Sequence, residues 1–223
     1  MMNFEMEHLA LIEENEDVLH QIEIALFTKR YRLNKRHSEI LRVQSISMVY
    51  AIWEGYMQQT LQLYIKYIDY KEIKFLELND NIIAYHMENS FKQFREYPHK
   101  SGKKAIFFND LSAFYKEDIH TLYPRVDTES NLGFDVMNRL LEQFGVEKFP
   151  ECWEEYKYPN QTLKVMLKDL LRYRNSIAHG GDLTNEETVN QDVYNKYKKL
   201  IIDLMYGVHD ALMEAINSES YKK

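Results

Sequence analysis

Leu170-Leu171-Arg172-Tyr173-Arg174-Asn175-Ser176-Ile177-Ala178-His179-Gly180-Gly181 closes a segment in which Leu163, Met166, Leu167, Leu170 and Leu171 recur at i, i+3, i+4, i+7 and i+8. That rhythm predicts an amphipathic helix burying one face. Arg174 is the next member of the stripe. A guanidinium costs too much to bury alone, so an Arg on an apolar face must meet a carboxylate or open into a polar cleft. Gly180-Gly181 supplies the stop, since glycine readily takes the left-handed conformation that ends helices, and His179 is the last side chain before it. Residues five apart on an uninterrupted helix are rotated by about 140°. Arg174 and His179 therefore share a face only if the helix frays or a second copy of the site contributes.

Outward from this stretch the chain reads as helix after helix. Leu9, Ile12, Leu19, Ile22 and Leu26 predict an amphipathic helix over residues 5 to 27, with Glu13, Glu14, Glu16 and Asp17 opposite. The basic run Lys29-Arg30-Tyr31-Arg32-Leu33-Asn34-Lys35-Arg36 follows, either a solvated turn or a nucleic-acid contact in which Tyr31 stacks on a base. From Ser38 to about Ile68 no Pro interrupts Ile40, Val43, Ile46, Val49, Trp53, Tyr56, Leu61, Tyr64 and Ile68, which predicts a long central helix. Within it, Gly55 offers room for another backbone to approach. Residues 82 to 94 and 106 to 122 suggest two further helices, separated by a loop at Pro98-His99-Lys100-Ser101-Gly102-Lys103-Lys104. Met137, Leu140, Leu141 and Phe144 mark a short helix ended by Gly145, and Pro150 to Pro159 is an aromatic connector in which Cys152 is expected as a small buried hydrophobe. Thr184-Asn185-Glu186-Glu187 reads as a capping box opening a C-terminal helix from Val189 to Ala215 or Ile216, with Ser218 to Lys223 fraying beyond it.

Composition agrees with an all-α protein. Seven Gly and four Pro in 223 residues leave few turns, and no series of alternating β-branched runs is present. A single Cys excludes an intramolecular disulfide framework and a multi-Cys zinc site, and a reducing cytoplasm is the default expectation. The acidic start lacks the basic and apolar regions of a secretory signal. No run approaches the roughly 18 apolar residues of a membrane span. A net charge of −7 and a pI near 5.7 argue against broad nonspecific nucleic-acid binding, so any RNA contact must rest on a local basic cleft.

Arg174-Asn175 followed by His179 resembles the R-x4-6-H signature of the HEPN superfamily, all-helical domains many of which are metal-independent RNases. The ending Ile177-Ala178-His179-Gly180 fits the same pattern, and Tyr50-Ala51-Ile52-Trp53-Glu54-Gly55-Tyr56 resembles the aromatic-Glu-Gly segment of a bacterial, uncharacterised or toxin-like HEPN branch. The resemblance covers most of residues 38 to 216. It implies a multi-helix bundle with long central and C-terminal helices: one domain over residues 1–223, with 70–160 as a helical insertion or elaboration.

The resemblance also implies chemistry: cleavage of an RNA substrate by attack of a ribose 2′-OH on its own 3′-phosphate. His179 would be the proton carrier, apt because an unperturbed imidazole has a pKa of about 6.5. Arg174 would stabilise the pentacoordinate transition state, apt because its planar fork matches phosphate oxygens. Glu54 would either pair with Arg174 or face solvent as an ordinary helical Glu; Asn175 and Ser176 would orient the phosphate, and Tyr173 would stack on a base. HEPN relatives place two motifs in one cleft by dimerising, so a homodimer with a composite site is expected, with a cognate antitoxin protein as a further partner and no membrane association. No cofactor is expected. His8, His20, His37, His86, His99, His120 and His209 show no HExxH or similar ligand spacing, and no metal is expected either. The alternative is a non-catalytic HEPN-like module for nucleotide binding or protein interaction, in which His179 merely caps its helix and Arg174 forms a structural ion pair.

Overall fold

The computed structural model describes residues 2–28, 31, 33–178 and 189–223. These form seven α-helices, α1 (Phe4–Phe27), α2 (Lys35–Tyr70), α3 (Asp80–Ser90), α4 (Ser101–Phe114), α5 (Phe134–Gln143), α6 (Leu163–Ala178) and α7 (Gln191–Asn217), with 3₁₀ turns at Phe75–Glu77 and Lys92–Phe94. No β-strand occurs among the described residues, and none of their helices is long and apolar enough to cross a membrane.

The centre is α2, which packs against α1, α6 and α7, while α1 and α7 also pack on each other. Its buried residues, including Val43, Ile46, Tyr50, Trp53, Tyr56, Met57, Leu61 and Tyr64, form one broad face, with Met48, Ala51, Gln59 and Lys66 exposed opposite. By contrast α6 buries one face, with Leu163, Met166, Leu167, Leu170 and Tyr173 at 6% exposure or less. Four helices begin on an Asn whose side chain accepts a backbone N–H: Asn3, Asn34, Asn79 and Asn190.

The middle of the chain differs from its periodicity. α3 ends at Ser90, where Phe91 turns to extended backbone, and α4 stops at Phe114, leaving Ile119 and Leu122 outside any helix. Leu122 is held instead by its N–H donating to Asp69 Oδ1 at 2.9 Å. The loop expected at residues 98 to 104 is shorter, because α4 begins at Ser101. Cys152 is exposed rather than buried. The capping box at Thr184 lies outside the described residues, and the last helix begins at Gln191 with Asn190 as its cap, so Val189 precedes it.

Residues 218–223 are fastened, not frayed. Asn79 N–H donates to Tyr221 O at 2.8 Å, Lys223 N–H to Glu77 O at 3.0 Å, and Ser220 Oγ to Gly145 O at 2.6 Å. Tyr221 is 1% exposed, its ring edge-on to Tyr64 and Tyr67. Gly145 is required here: φ is +72°, and a Cβ would stand 2.8 Å from Ser220 O.

Close approach is needed at Gly207, not at Gly55. A Cβ on Gly55 would meet only the end of Gln59, 4.0 Å away, whereas one on Gly207 would stand 2.6 Å from Trp153 Cζ2 and 2.9 Å from Phe149 Cε1. The connector thus lies flat on α7, with Tyr156 stacked beside Trp153 and its hydroxyl donating to Asp203 Oδ2 at 2.6 Å. Opposite effects are expected from one substitution at the two positions. Gly55→Ala should stabilise by about 0.5–1 kcal/mol through helix propensity, and Gly207→Ala should destabilise by about 1–3 kcal/mol through overpacking. Urea midpoints moving in the same direction would refute the contrast.

Candidate active site

Near the end of α6, Arg174 is half-buried with its guanidinium carbon 5.2 Å from the centroid of the Tyr50 ring. Its Nη1 donates to Asn175 Oδ1 at 2.9 Å. Among the described residues no carboxylate lies within ion-pair distance of Arg174. A half-buried cation held by a π face and a neutral amide retains an unused capacity for an anion.

Glu54 does not complete that pair. It lies one turn after Tyr50 on α2, half-buried, and its Oε1 accepts from Thr128 Oγ1 at 2.8 Å, while Thr128 accepts from Gln58 Nε2 at 2.9 Å. The charges of Glu54 and Arg174 both act on Tyr50. Burial holds the Tyr50 hydroxyl above its usual range; the Leu132 N–H lowers it, the Glu54 charge raises it, and Arg174 lowers it. Tyr50 thereby stays a neutral phenol, its oxygen accepting the Leu132 N–H at 2.8 Å.

The segment holding Thr128 and Leu132 is tightly specified. Glu129 and Ser130 both take left-handed φ, 56° and 53°, a conformation costing on the order of 1–2 kcal/mol for each non-glycine residue. Asp127 Oδ1 accepts the Glu129 N–H at 2.8 Å, and the Glu129 carboxylate meets Arg139 at 2.7 Å. Removing the acceptor that anchors this turn has a definite expected cost. Tyr50→Phe leaves the Leu132 N–H buried without a partner and should destabilise by about 1–3 kcal/mol, read from the urea midpoint. An unchanged midpoint would mean that water replaces the hydroxyl.

Of the expected site residues, Arg174, Asn175 and Ser176 lie together, the last two also half-buried. Tyr173 points the other way. It is 6% exposed with its ring edge-on to Tyr197 at 5.8 Å, a core side chain in this chain rather than an open platform for a base. His179 lies outside the described residues, as do Lys29, Arg30 and Arg32 of the basic run, while Tyr31 is exposed. The residue that periodicity passed over is Tyr50, quoted only as the first member of the Tyr50-to-Tyr56 segment and given no role of its own. Its place four residues before Glu54, on the same face of α2, is the signal that pointed to it.

The Trp53-Glu54-Gly55 segment also has a defined role. Trp53 is fully buried and stacked on Tyr56 at 6.1 Å, so it fixes α2 in the core while Glu54 faces the Thr128 turn.

Comparison with known families returns one finding. The model of the MAE_28990-like HEPN family matches residues 11–221. No curated protein and no solved structure matches. The family match spans nearly the whole chain, α1 through the fastened tail, and takes in both the Tyr50-to-Tyr56 segment and the Arg174 stretch; this all-α chain belongs to the HEPN superfamily.

Proposed function

We propose that the protein is a metal-independent endoribonuclease in which Arg174 and His179 form the catalytic pair. The observation that carries this reading is Arg174 itself, half-buried, seated on Tyr50 and without a carboxylate partner among the described residues. A phosphodiester fits that seat. Its transition state gains negative charge on the equatorial oxygens, and a guanidinium offers donors in the geometry those oxygens require.

In this reading His179 removes the proton of a ribose 2′-OH as O2′ bonds to phosphorus. The bond from phosphorus to O5′ then breaks, and the departing oxygen takes a proton from His179 of a second copy. The products are a 2′,3′-cyclic phosphate and a 5′-hydroxyl. One catalytic imidazole per chain makes two copies the natural unit, since separate acid and base serve an in-line displacement best. An unrestrained RNase would degrade its host's own transcripts. A role as a toxin or phage-defence effector in the cytoplasm, restrained by a cognate antitoxin protein, follows from that hazard.

The test is incubation of purified protein with total RNA in excess EDTA beside Arg174→Ala and His179→Ala. EDTA-resistant cutting that both substitutions abolish supports the enzyme. Folded protein that cuts no RNA supports the second reading, a non-catalytic binding or interaction module, which the net charge of −7 favours.

A further inference from the structure

The chain is acidic, yet between residues 92 and 106 five cationic side chains stand against a single carboxylate, Glu96. Four of them, Lys92, Arg95, Lys100 and Lys103, line a groove of about 970 Å³ together with Tyr97, Ile106 and the carboxylate of Glu96 itself. The groove lies where the 3₁₀ turn after α3 meets the first turns of α4.

Six lysines elsewhere among the described residues are neutralised by carboxylates. Lys148, Lys164, Lys198, Lys199, Lys222 and Lys223 each meet a carboxylate at 2.6–2.9 Å. Among the described residues none of the five between 92 and 106 is in an ion pair. Arg95 Nη2 instead donates to the neutral Asn89 Oδ1 at 2.9 Å, which anchors the wall to α3. Lys104 Nζ sits 5.1 Å over the Tyr97 ring. Apolar surface lies open beside them: Tyr97, just before α4, is 49% exposed, and Ile106 is 59% exposed on a helix that buries only Phe107.

We infer that this groove binds a single strand of RNA, with Lys92, Arg95, Lys100 and Lys103 along the phosphates and Tyr97 beside a base. Cations that track a backbone, interleaved with an aromatic that accepts any base, are what sequence-tolerant single-strand binding requires. The choice of RNA among single-stranded polyanions rests on the ribonuclease reading; the groove's charge and its aromatic wall do not. It would present a strand for cutting while the rest of the acidic surface repels nucleic acid, so cleavage would favour unpaired regions of a transcript.

The experiment measures binding apart from cutting. A fluorescent 2′-O-methyl oligoribonucleotide on the order of a dozen nucleotides, a length suited to one such groove, lacks the attacking hydroxyl. Its affinity is followed by anisotropy against salt. Lys100→Glu/Lys103→Glu, at two exposed positions, should weaken binding at least tenfold. The slope of log affinity against log salt should flatten by about 1.4, about 0.7 for each lost phosphate contact. Tyr97→Ala should weaken binding with the slope unchanged. A double variant with undiminished affinity, or binding by the same cations of a poly-glutamate peptide or anionic vesicles in preference to the strand, would overturn the inference. Because the probe cannot be cut, loss of RNase activity elsewhere leaves this outcome readable.

Discussion

Arg174→Ala is expected to slow RNA cleavage in EDTA by about 10²- to 10³-fold, the loss typical when one preorganised donor to a developing oxyanion is removed. Stability should fall far less, by about 1 kcal/mol or under, because among the described residues what is lost is a cation–π contact and a hydrogen bond to a neighbouring amide. Arg174→Lys should recover little, since an ammonium keeps the charge but not the planar fork. His179→Ala should lose about 10²- to 10⁴-fold, the range for a positioned proton carrier. Mixing the two inactive proteins then asks whether copies share a cleft: a heterodimer brings one Arg174 and one His179 together, and partial recovery of cutting is expected. Activity within about threefold of wild type in Arg174→Ala would remove Arg174 from the chemistry.

Acid should unfold the protein well before its surface carboxylates titrate fully. His8 is fully buried where α1 meets α2 and α7: its Nε2 lies 2.9 Å from Tyr56 Oη and 3.0 Å from Thr60 Oγ1, and its Nδ1 is 3.0 Å from His209 Nδ1. Tyr56 donates to Met205 O at 2.8 Å, so its oxygen is left to accept from His8 Nε2–H, and His8 Nδ1 accepts from His209. Burial, with repulsion from His209, pushes the His8 pKa down to about 3. A second site repeats the arrangement at smaller scale, where burial and His120 lower His86 to about 4 while its Nδ1 accepts the Tyr123 N–H at 3.1 Å.

Both imidazoles are neutral in the native state and protonated on unfolding below pH 6.5, so the unfolded chain binds more protons and stability rises with pH. It is therefore intact above about pH 6.5 and lost as pH falls toward 3 to 4. Each His contributes a slope approaching about 1.4 kcal/mol per pH unit in that window, and His8 alone accounts for about 4 kcal/mol across it. Urea midpoints between pH 4 and 7 measure this. His8→Gln should flatten the slope by about 1.4 kcal/mol per unit. Equal slopes in wild type and His8→Gln would place the acid sensitivity elsewhere.

The helices forming the bundle were legible because each carries its own periodic stripe: Leu9 to Leu26, Val43 to Ile68, Leu163 to Leu171 and Val193 to Ala215 all lie in helices of the structure. The middle misled because the apolar spacing runs on past the helix ends. Ile119 and Leu122 keep the rhythm, yet Leu122 is buried by a chain that Asp69 and Tyr85 hold extended through hydrogen bonds from α2 and α3. The tail and the paired histidines were hidden for another reason. Tyr221 with Asn79, and His8 with His209, join residues separated by most of the chain, and no local pattern encodes such a partner. At the site, Arg174 was legible as a cation on an apolar stripe. Its companion Tyr50 was not, since an aromatic on a buried helix face looks the same whether or not it supports a guanidinium.

The meeting of His8 with His209 also governs when the bundle can form. α2 leaves the ribosome with Tyr56 and Thr60 in place, but the surface of α1 and α2 that α7 covers stays open until α7 itself has been translated. A nascent chain that has reached only α6 carries Arg174 without the closed interior that braces it in the finished bundle.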